Sequence, residues 1–253
     1  MKDTTILGNL DPELLKRVVS RRGAVERSGK MAGALAIASM PVAFGLMAKS
    51  AFAQGTALPA DILAVLNFAL TLEYLEDEFY RGGLDSGVIA TEALPIFQQI
   101  SKHETAHVAL LTSAISSGGG TPDPKPTFDF TAGGTLPDPF TDYPTFQALA
   151  QGFEDTGVRA YKGQAGALMA NDAILTTALR IHSVEARHAS EVRRLRGQKG
   201  WITGNQTDVP ALAAVYAGEE VGEGVTSTAT SEAFDEPLTK DQVLAIANQF
   251  IVT

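Results

Sequence analysis

An internal repeat sets what this chain can fold into. Residues 100–110 read ISKHETAHVAL and residues 181–191 read IHSVEARHASE; each carries Glu-x-x-His, as Glu104 with His107 and Glu185 with His188. Residues three apart on an α-helix project from nearly the same face, so each pair offers a carboxylate and an imidazole toward one point. Each pair is preceded, at the same distance upstream, by another glutamate, Glu73 and Glu154, and at a matched distance after each of these comes a tyrosine, Tyr80 and Tyr161. One constant offset relates all the matched positions: Glu73 to Glu154, Tyr80 to Tyr161, Glu104 to Glu185 and His107 to His188. The chain therefore holds two copies of one helical hairpin, and each copy brings two glutamates and a histidine to the middle.

The surrounding sequence supplies the helices. Pro59 suits a first turn, and Ile62, Val65, Leu66, Ala69, Leu72 and Leu75 follow at helical spacing until Gly82-Gly83, which predicts a first helix over 59–81. A second helix is expected over 91–115, stopped by residues 116–120. The third begins near Asp142, an N-cap ahead of Pro144, and runs to about 170; Asn171-Asp172 then caps a fourth that runs to 196, closed by Gly197 and Gly200. Short links make the helices antiparallel within each pair. Between the pairs, residues 118–143 are rich in Pro, Gly, Thr and Asp and show no helical period. A loop that long inside a domain needs a reason. At ~3.3 Å per extended residue it can return along helices about 35–40 Å long. Two hairpins joined by one long crossover make the all-α, ferritin-like four-helix bundle. Beyond Trp201 the pattern weakens: 209–216 reads as a short helix or an extended edge, and 222–230 as loop. Thr239 N-caps a last helix ending near Phe250, whose apolar face is Val243, Leu244, Ile246, Ala247, Phe250 and Ile251. The expected organisation is an export signal over 1–53, the bundle over 54–200, and a C-terminal extension over 201–253 packed on it.

Charge separates the first of these segments from the rest. Residues 1–53 carry eight Lys/Arg and four Asp/Glu, a net of +4, so a chain total of −9 leaves −13 on 54–253. An acidic body argues against nucleic acid and anionic membrane surfaces as partners. Lys16, Arg17, Arg21, Arg22, Arg27 and Lys30 form a basic region, residues 31–47 a weakly apolar Ala/Gly-rich run broken by Pro41, and Ala51-Phe52-Ala53 an A-x-A cleavage signal. Ser20-Arg21-Arg22 resembles a twin-arginine leader, although Gly23-Ala24-Val25 lacks the bulky apolar residues that usually follow; a general secretory signal is the alternative. The run is short and weakly apolar for a span of roughly 20 residues, so the expectation is an exported, periplasmic chain with no stable membrane span after cleavage near Ala53, an uncleaved anchor being left open. The chain has no cysteine, which excludes disulfides, thiolate-bound zinc, iron–sulfur clusters and thiol catalysis.

Four carboxylates and two imidazoles suffice for two metal ions, each with one histidine and one terminal carboxylate, and two carboxylates shared. In this arrangement Glu104 and Glu185 bridge, while Glu73 and Glu154 are terminal, each with His107 or His188. Oxygen-rich sites with one nitrogen per metal suit iron or manganese. All six groups lie in stretches otherwise lined by Leu, Ile, Val and Ala, and four buried carboxylates without cations are very unfavourable. Tyr80 and Tyr161 are candidates to hydrogen-bond these ligands, with plain packing as the alternative. His182, which has Ser101 as its counterpart, is a further ligand, a proton carrier or a buried hydrogen-bonded histidine. Residues 103–107 also spell H-E-x-x-H, a zinc-protease signature, but that motif needs a third ligand and leaves the second copy unexplained, where Val184 replaces the first histidine. Glu76 is expected near the inner face and Asp77 and Glu78 in solvent; Arg193, Arg194 and Arg196 complement the dipole at the end of the fourth helix.

The segments LNFALTLEYLEDEFY, HETAHVALL, FEDTGVRAYKG and VEARHASEVRRLRG resemble the ferritin-like domain family that includes the desiccation-related proteins of plants and bacteria, and SEAFDEPLTKDQVLAIANQF is similar to that family's C-terminal segment. The resemblance covers about 58–197. It implies a ferritin-like bundle with metal ligands at Glu73, Glu104, His107, Glu154, Glu185 and His188. The resulting expectation is an exported protein with two Fe or two Mn ions that reacts with a small oxidant, hydrogen peroxide or oxygen, in stress protection. The alternatives are a non-catalytic, desiccation-protective bundle with a structural or vestigial metal site, and an iron-storing shell; homo-oligomerisation is left open.

Overall fold

The computed structural model describes residues 57–205, 207–219 and 232–252. The leader, with its basic region, apolar run and A-x-A signal, and the loop at 222–230 lie outside the described residues. Five α-helices follow in order: α1 (Ala60–Ser86), α2 (Leu94–Ser117), α3 (Tyr143–Gln164), α4 (Asp172–Leu195) and α5 (Lys240–Ala247). Two 3₁₀ segments, Ala165–Leu168 and Pro210–Tyr216, complete the set. Packing is dominated by α1 on α2 and α3 on α4, with the two hairpins meeting chiefly through α1 and α3. Among the described residues no helix is long and apolar enough to cross a membrane.

The caps follow sequence chemistry. The Asp142 side chain accepts from the Thr145 backbone N–H at 2.9 Å, and that of Asn171 from Ile174 N–H at 3.1 Å. Thr239 and Gln242 form a reciprocal capping box at the start of α5. One expected boundary fails: α1 does not stop at Gly82-Gly83 but continues to Ser86 and ends on Gly87, whose φ of 74° is the left-handed conformation that terminates helices. The two glycines are packing devices instead. A Cβ on Gly83 would come 2.1 Å from the Phe146 ring, and one on Gly82 2.6 Å from Phe140. Further differences are smaller. The second helix starts at Leu94 rather than 91, after a turn, and α3 gives way at Gln164 to the 3₁₀ segment, ahead of the expected end near 170.

The crossover climbs the length of α1. Leu58 N–H donates to Gly118 O at 2.8 Å, Asn67 exchanges hydrogen bonds with Thr121 and Asp123, Lys125 pairs with Glu78, and Phe130 packs on Phe79 with ring centroids 5.2 Å apart. It then meets the C-terminal segment: Asp129 N–H donates to Phe250 O at 2.8 Å, and Phe128 and Ile251 form an antiparallel bridge.

The extension is held to the bundle by a buried arginine. Arg159, on α3, pairs with Glu219 at 3.0 Å and donates to the backbone carbonyls of Val215, Ala217 and Glu236. Arg193, on α4, is buried as well. It is 4 % exposed and pairs with Asp155 at 2.5 Å, and Asp155 also accepts from the Tyr216 hydroxyl at 2.7 Å. Arg193, expected to complement the dipole at the end of the fourth helix, does lie in its last turn, and the structure adds a buried carboxylate as its partner. The expectation of Asp77 in solvent is corrected. It is buried, accepts from Thr105 Oγ1 at 2.7 Å and pairs with Arg81, linking α1 to α2.

The apolar core is split in two. An aromatic cluster around Phe79, Tyr80, Phe97, Phe146 and Phe153 fills one end, and an aliphatic cluster around Ile62, Leu66, Leu111, Ile174 and Ile181 fills the other. Every bundle helix passes from one cluster to the other, and on each the repeat's polar residues fall between them.

Gly163 is the repeat partner of Gly82, and a Cβ there would lie 2.0 Å from the Leu238 carbonyl oxygen. Gly163→Ala is expected to destabilise the protein by about 1–3 kcal/mol, as overpacking does. Gly166→Ala, where a Cβ meets nothing within 4 Å, is the control and should be neutral or better. Urea unfolding of both variants checks this; equal midpoints would contradict the contact.

Candidate metal centre

Mid-helix positions on four helices converge between the two clusters. Glu73 comes from α1, Glu104 and His107 from α2, Glu154 from α3, and Glu185 and His188 from α4. The four glutamates are 0 % exposed, His107 8 % and His188 5 %.

The distances form two overlapping groups. His107 Nδ1 lies 3.1 Å from Glu73 Oε2, 3.0 Å from Glu104 Oε2 and 3.0 Å from Glu185 Oε1. His188 Nδ1 lies 3.2 Å from Glu154 Oε2, 2.9 Å from Glu104 Oε1 and 3.5 Å from Glu185 Oε2. Glu73, Glu104, His107 and Glu185 make one group, and Glu104, Glu154, Glu185 and His188 the other, with the donor atoms of each within 4.8 Å of one another. Glu104 and Glu185 belong to both, each turning one oxygen to either histidine.

The donors fit a cation better than a hydrogen-bond network. An imidazole nitrogen carries at most one hydrogen, so it cannot satisfy three carboxylate oxygens at once. Glu104 Oε1 and both Glu185 oxygens are buried and accept no hydrogen bond, although each lies close to an imidazole nitrogen. Unpaired buried carboxylate oxygens are costly. Nitrogen and oxygen atoms about 3 Å apart are spaced as neighbouring ligands on one cation with bonds of about 2.1 Å. The residues present could therefore hold metal ions, and the shared carboxylates would sit between two of them.

The tyrosines pair across the repeat. Tyr80 donates to Glu154 Oε1 and Tyr161 to Glu73 Oε1, each at 2.5 Å. Each hairpin's tyrosine thus holds the other hairpin's glutamate, fixing the oxygen that does not face histidine. His182 joins neither group. It is half-buried with its Nδ1 unpaired, and burial lowers its pKa.

Sequence reasoning placed Glu76 near the inner face without a role. The structure makes it a fifth buried carboxylate, 3 % exposed and without a hydrogen bond among the described residues. Its repeat partner is Gly157, where an added Cβ would rest in ordinary contact with Glu76 Oε1 at 3.4 Å and Glu185 Cγ at 3.5 Å. Comparing the repeats position by position could have found it, since a glycine opposite a glutamate leaves room for one. His103 was also missed. Its Nδ1 lies 2.8 Å from His188 Nε2 and its Nε2 2.7 Å from the exposed Gln99 amide.

Burial dominates the electrostatics. It pushes the Glu73 carboxyl up to about 8 against the pull of His107, with Glu185 and Glu104 adding to the rise. Burial likewise raises Glu154 well above the usual range, opposed by His188, and raises Glu76 with help from Glu185 and Glu154. For the histidines burial acts downward but is outweighed: Glu73 and the shared carboxylates raise His107, and Glu154 with Glu104 raises His188 to about 12. Glu185 is lowered, because hydrogen-bonding contact with His107 and His188 outweighs its burial. Without cations the centre thus gathers protons to offset its carboxylates.

Residues 61–198 match the family model described as Ferritin-like domain. No curated protein matches the chain.

Two outcomes follow from the protonation. Glu73 binds a proton in the folded, metal-free protein between its ordinary value of 4.5 and about 8 that the unfolded chain has lost, so stability falls as pH rises through that window. The raised histidines add stability below about 6.5 that is lost as pH climbs toward their folded values. Glu185 acts oppositely, and only as pH falls below 4.5. The unfolding free energy of metal-free protein should therefore drop between pH 5 and 8 by about 1.4 kcal/mol per pH unit for each proton concerned, and the thermal midpoint should fall with it. The midpoint gain from added Mn(II) should grow over the same range, because the metal displaces protons; a flat profile would contradict this. Separately, Glu76→Gln should change stability by less than about 1.5 kcal/mol, since it replaces a carboxyl already held neutral by a group of similar shape. Chemical denaturation measures it.

Proposed function

The chain belongs to the ferritin-like domain family, and from that premise we propose that it is an exported di-metal carboxylate protein that reacts with hydrogen peroxide or oxygen in stress protection. The observation that carries the reading is the pair of overlapping donor groups sharing Glu104 and Glu185, three of whose four buried oxygens lack hydrogen bonds. One nitrogen and several carboxylates per position suit iron or manganese. Bound as a pair, these ions supply the oxidation-state change that closed-shell protein groups lack.

The chain's residues have separate tasks. Glu73 and Glu154 each present one oxygen beside a histidine while a tyrosine hydroxyl holds the other. Glu104 and Glu185 span both positions, so one carboxylate can answer a charge change at either. The aromatic cluster closes one end of the layer, and the aliphatic cluster lines the other. Access is supported by a cavity of about 340 Å³ among α1, α2, α4 and the end of α3, walled by Leu66, Ala69, Leu110, Ala114 and Ala178 and reaching Tyr161. The lining is mostly apolar, with Asp172, Arg180 and Gln164 also on it, and a small oxidant such as peroxide or oxygen fits its volume.

Protein purified from its export compartment without chelator should contain two irons or manganeses per chain by mass spectrometry, and should consume peroxide. Glu104→Ala and Glu185→Ala should lose both properties while remaining helical. One zinc per chain would favour the H-E-x-x-H reading instead. Two metals with no peroxide or oxygen consumption, equal in wild type and variants, would favour a structural bundle. Ala178→Phe, which narrows the cavity, should slow oxidant consumption with both metals retained.

A further inference from the structure

The repeat makes the two donor groups nearly equivalent, and His103 breaks that equivalence. His188 Nε2, the nitrogen turned away from the carboxylates, lies 2.8 Å from His103 Nδ1, with the rings stacked at 12° and their centroids 5.1 Å apart. Among the described residues, His107 Nε2 makes no hydrogen bond. The reason lies in the sequence: at the repeat position of His103, where the second copy would place a partner for His107, stands Val184.

The contact has a chemical direction. If His188 Nδ1 offers its lone pair to a metal, its Nε2 carries the hydrogen, and His103 Nδ1 must accept it. His103 Nε2 then carries a hydrogen in turn; the Gln99 amide, whose nitrogen faces it at 2.7 Å, accepts that hydrogen once it turns its oxygen inward. A ligand histidine whose second nitrogen is hydrogen-bonded is fixed in tautomer and ring orientation, and losing such a partner costs about 10–100-fold in metal affinity. His107 has no such anchor.

We infer that His103 is a positioning residue for His188, and that the two metal positions differ in consequence: the one at His188 is held and the one at His107 exchanges. The inference rests on the two-metal reading proposed above.

The test uses full-length chain loaded with Mn(II) and challenged with excess EDTA, metal release being followed over time. Wild type is expected to bind two Mn(II) and release them in a fast and a slow phase. His103→Ala should accelerate the slow phase at least tenfold and leave the fast phase unchanged, while His103→Asn, which can still accept a hydrogen bond, should restore much of the slow rate. Val184→His, which gives His107 the missing partner, should slow the fast phase. A packing role alone for His103 would alter stability without a phase-specific change. Two bound metals released in one phase, unchanged rates in His103→Ala, or acceleration of the fast phase instead would overturn the inference and leave the two-metal reading standing. Fewer than two metals in wild type would overturn both. Should His103→Ala fail to fold, Val184→His decides: an unchanged fast phase is a refutation.

Discussion

Everything in this molecule is arranged around the concentration of negative charge at its centre. Five glutamates, Glu73, Glu76, Glu104, Glu154 and Glu185, are nine-tenths buried or more in one layer of the bundle, and two histidines accompany them. Protonating both imidazoles offsets only two of the five charges. The remainder needs further protons or cations, because isolated carboxylates do not stay ionised in an apolar interior. Two dications would balance four carboxylates and leave the imidazoles neutral as ligands. The fifth carboxyl is Glu76, whose pKa burial and the neighbouring glutamates raise well above the usual range. Held neutral, it would leave a donor set that two divalent ions could balance.

Such a layer needs a frame that tolerates its repulsion. The two apolar clusters supply most of it, the aromatic one by stacked and edge-on rings such as Phe79 on Phe146 at 4.7 Å. The tyrosines add a link that belongs to the site itself. Tyr80 on α1 binds Glu154 on α3, and Tyr161 on α3 binds Glu73 on α1, so the docking of one hairpin on the other is set through the ligands. Each bond also satisfies a carboxylate oxygen that would otherwise be orphaned. Fold and site are therefore coupled: displacing either hairpin breaks contacts to both terminal glutamates.

Much of this was legible because it repeats. A single constant offset between the two halves marks the six donors and both tyrosines, and loop length alone indicates the crossover. What was misread concerns partners that spacing cannot specify. Gly82-Gly83 looked like a helix stop because glycine is a poor helix former, yet close approach of Phe140 and Phe146 outweighs that penalty and the helix runs on. Asp77 looked solvated because charged residues usually are, and Arg193 was given only a helix-end role; their burial depends on Thr105 and Asp155 reaching them from other helices. Gly163 was overlooked although it repeats Gly82, because its contact, the Leu238 backbone, lies in an extension with no counterpart in the first half.

The departures from the repeat say more about function than the matches. A perfect duplication gives two equal positions related by a pseudo-two-fold axis, and nothing in such a cage distinguishes one ion from the other. Here Glu76 faces Gly157, and His103 has Val184 as its counterpart. A small residue at 157 suits the first change, since a Cβ there already touches the Glu76 carboxyl at 3.4 Å and a longer side chain would crowd it. Both changes bear on the side of the layer built from α3 and α4: Glu76 reaches toward Gly157 and Glu185, and His103 toward His188. The frame is symmetric because two hairpins of one pattern bury their faces best against each other. The groups it encloses are not, since His188 has a hydrogen-bonding partner in His103 and Val184 offers His107 none; with metals bound, such a centre would keep one in place while the other responds to what enters.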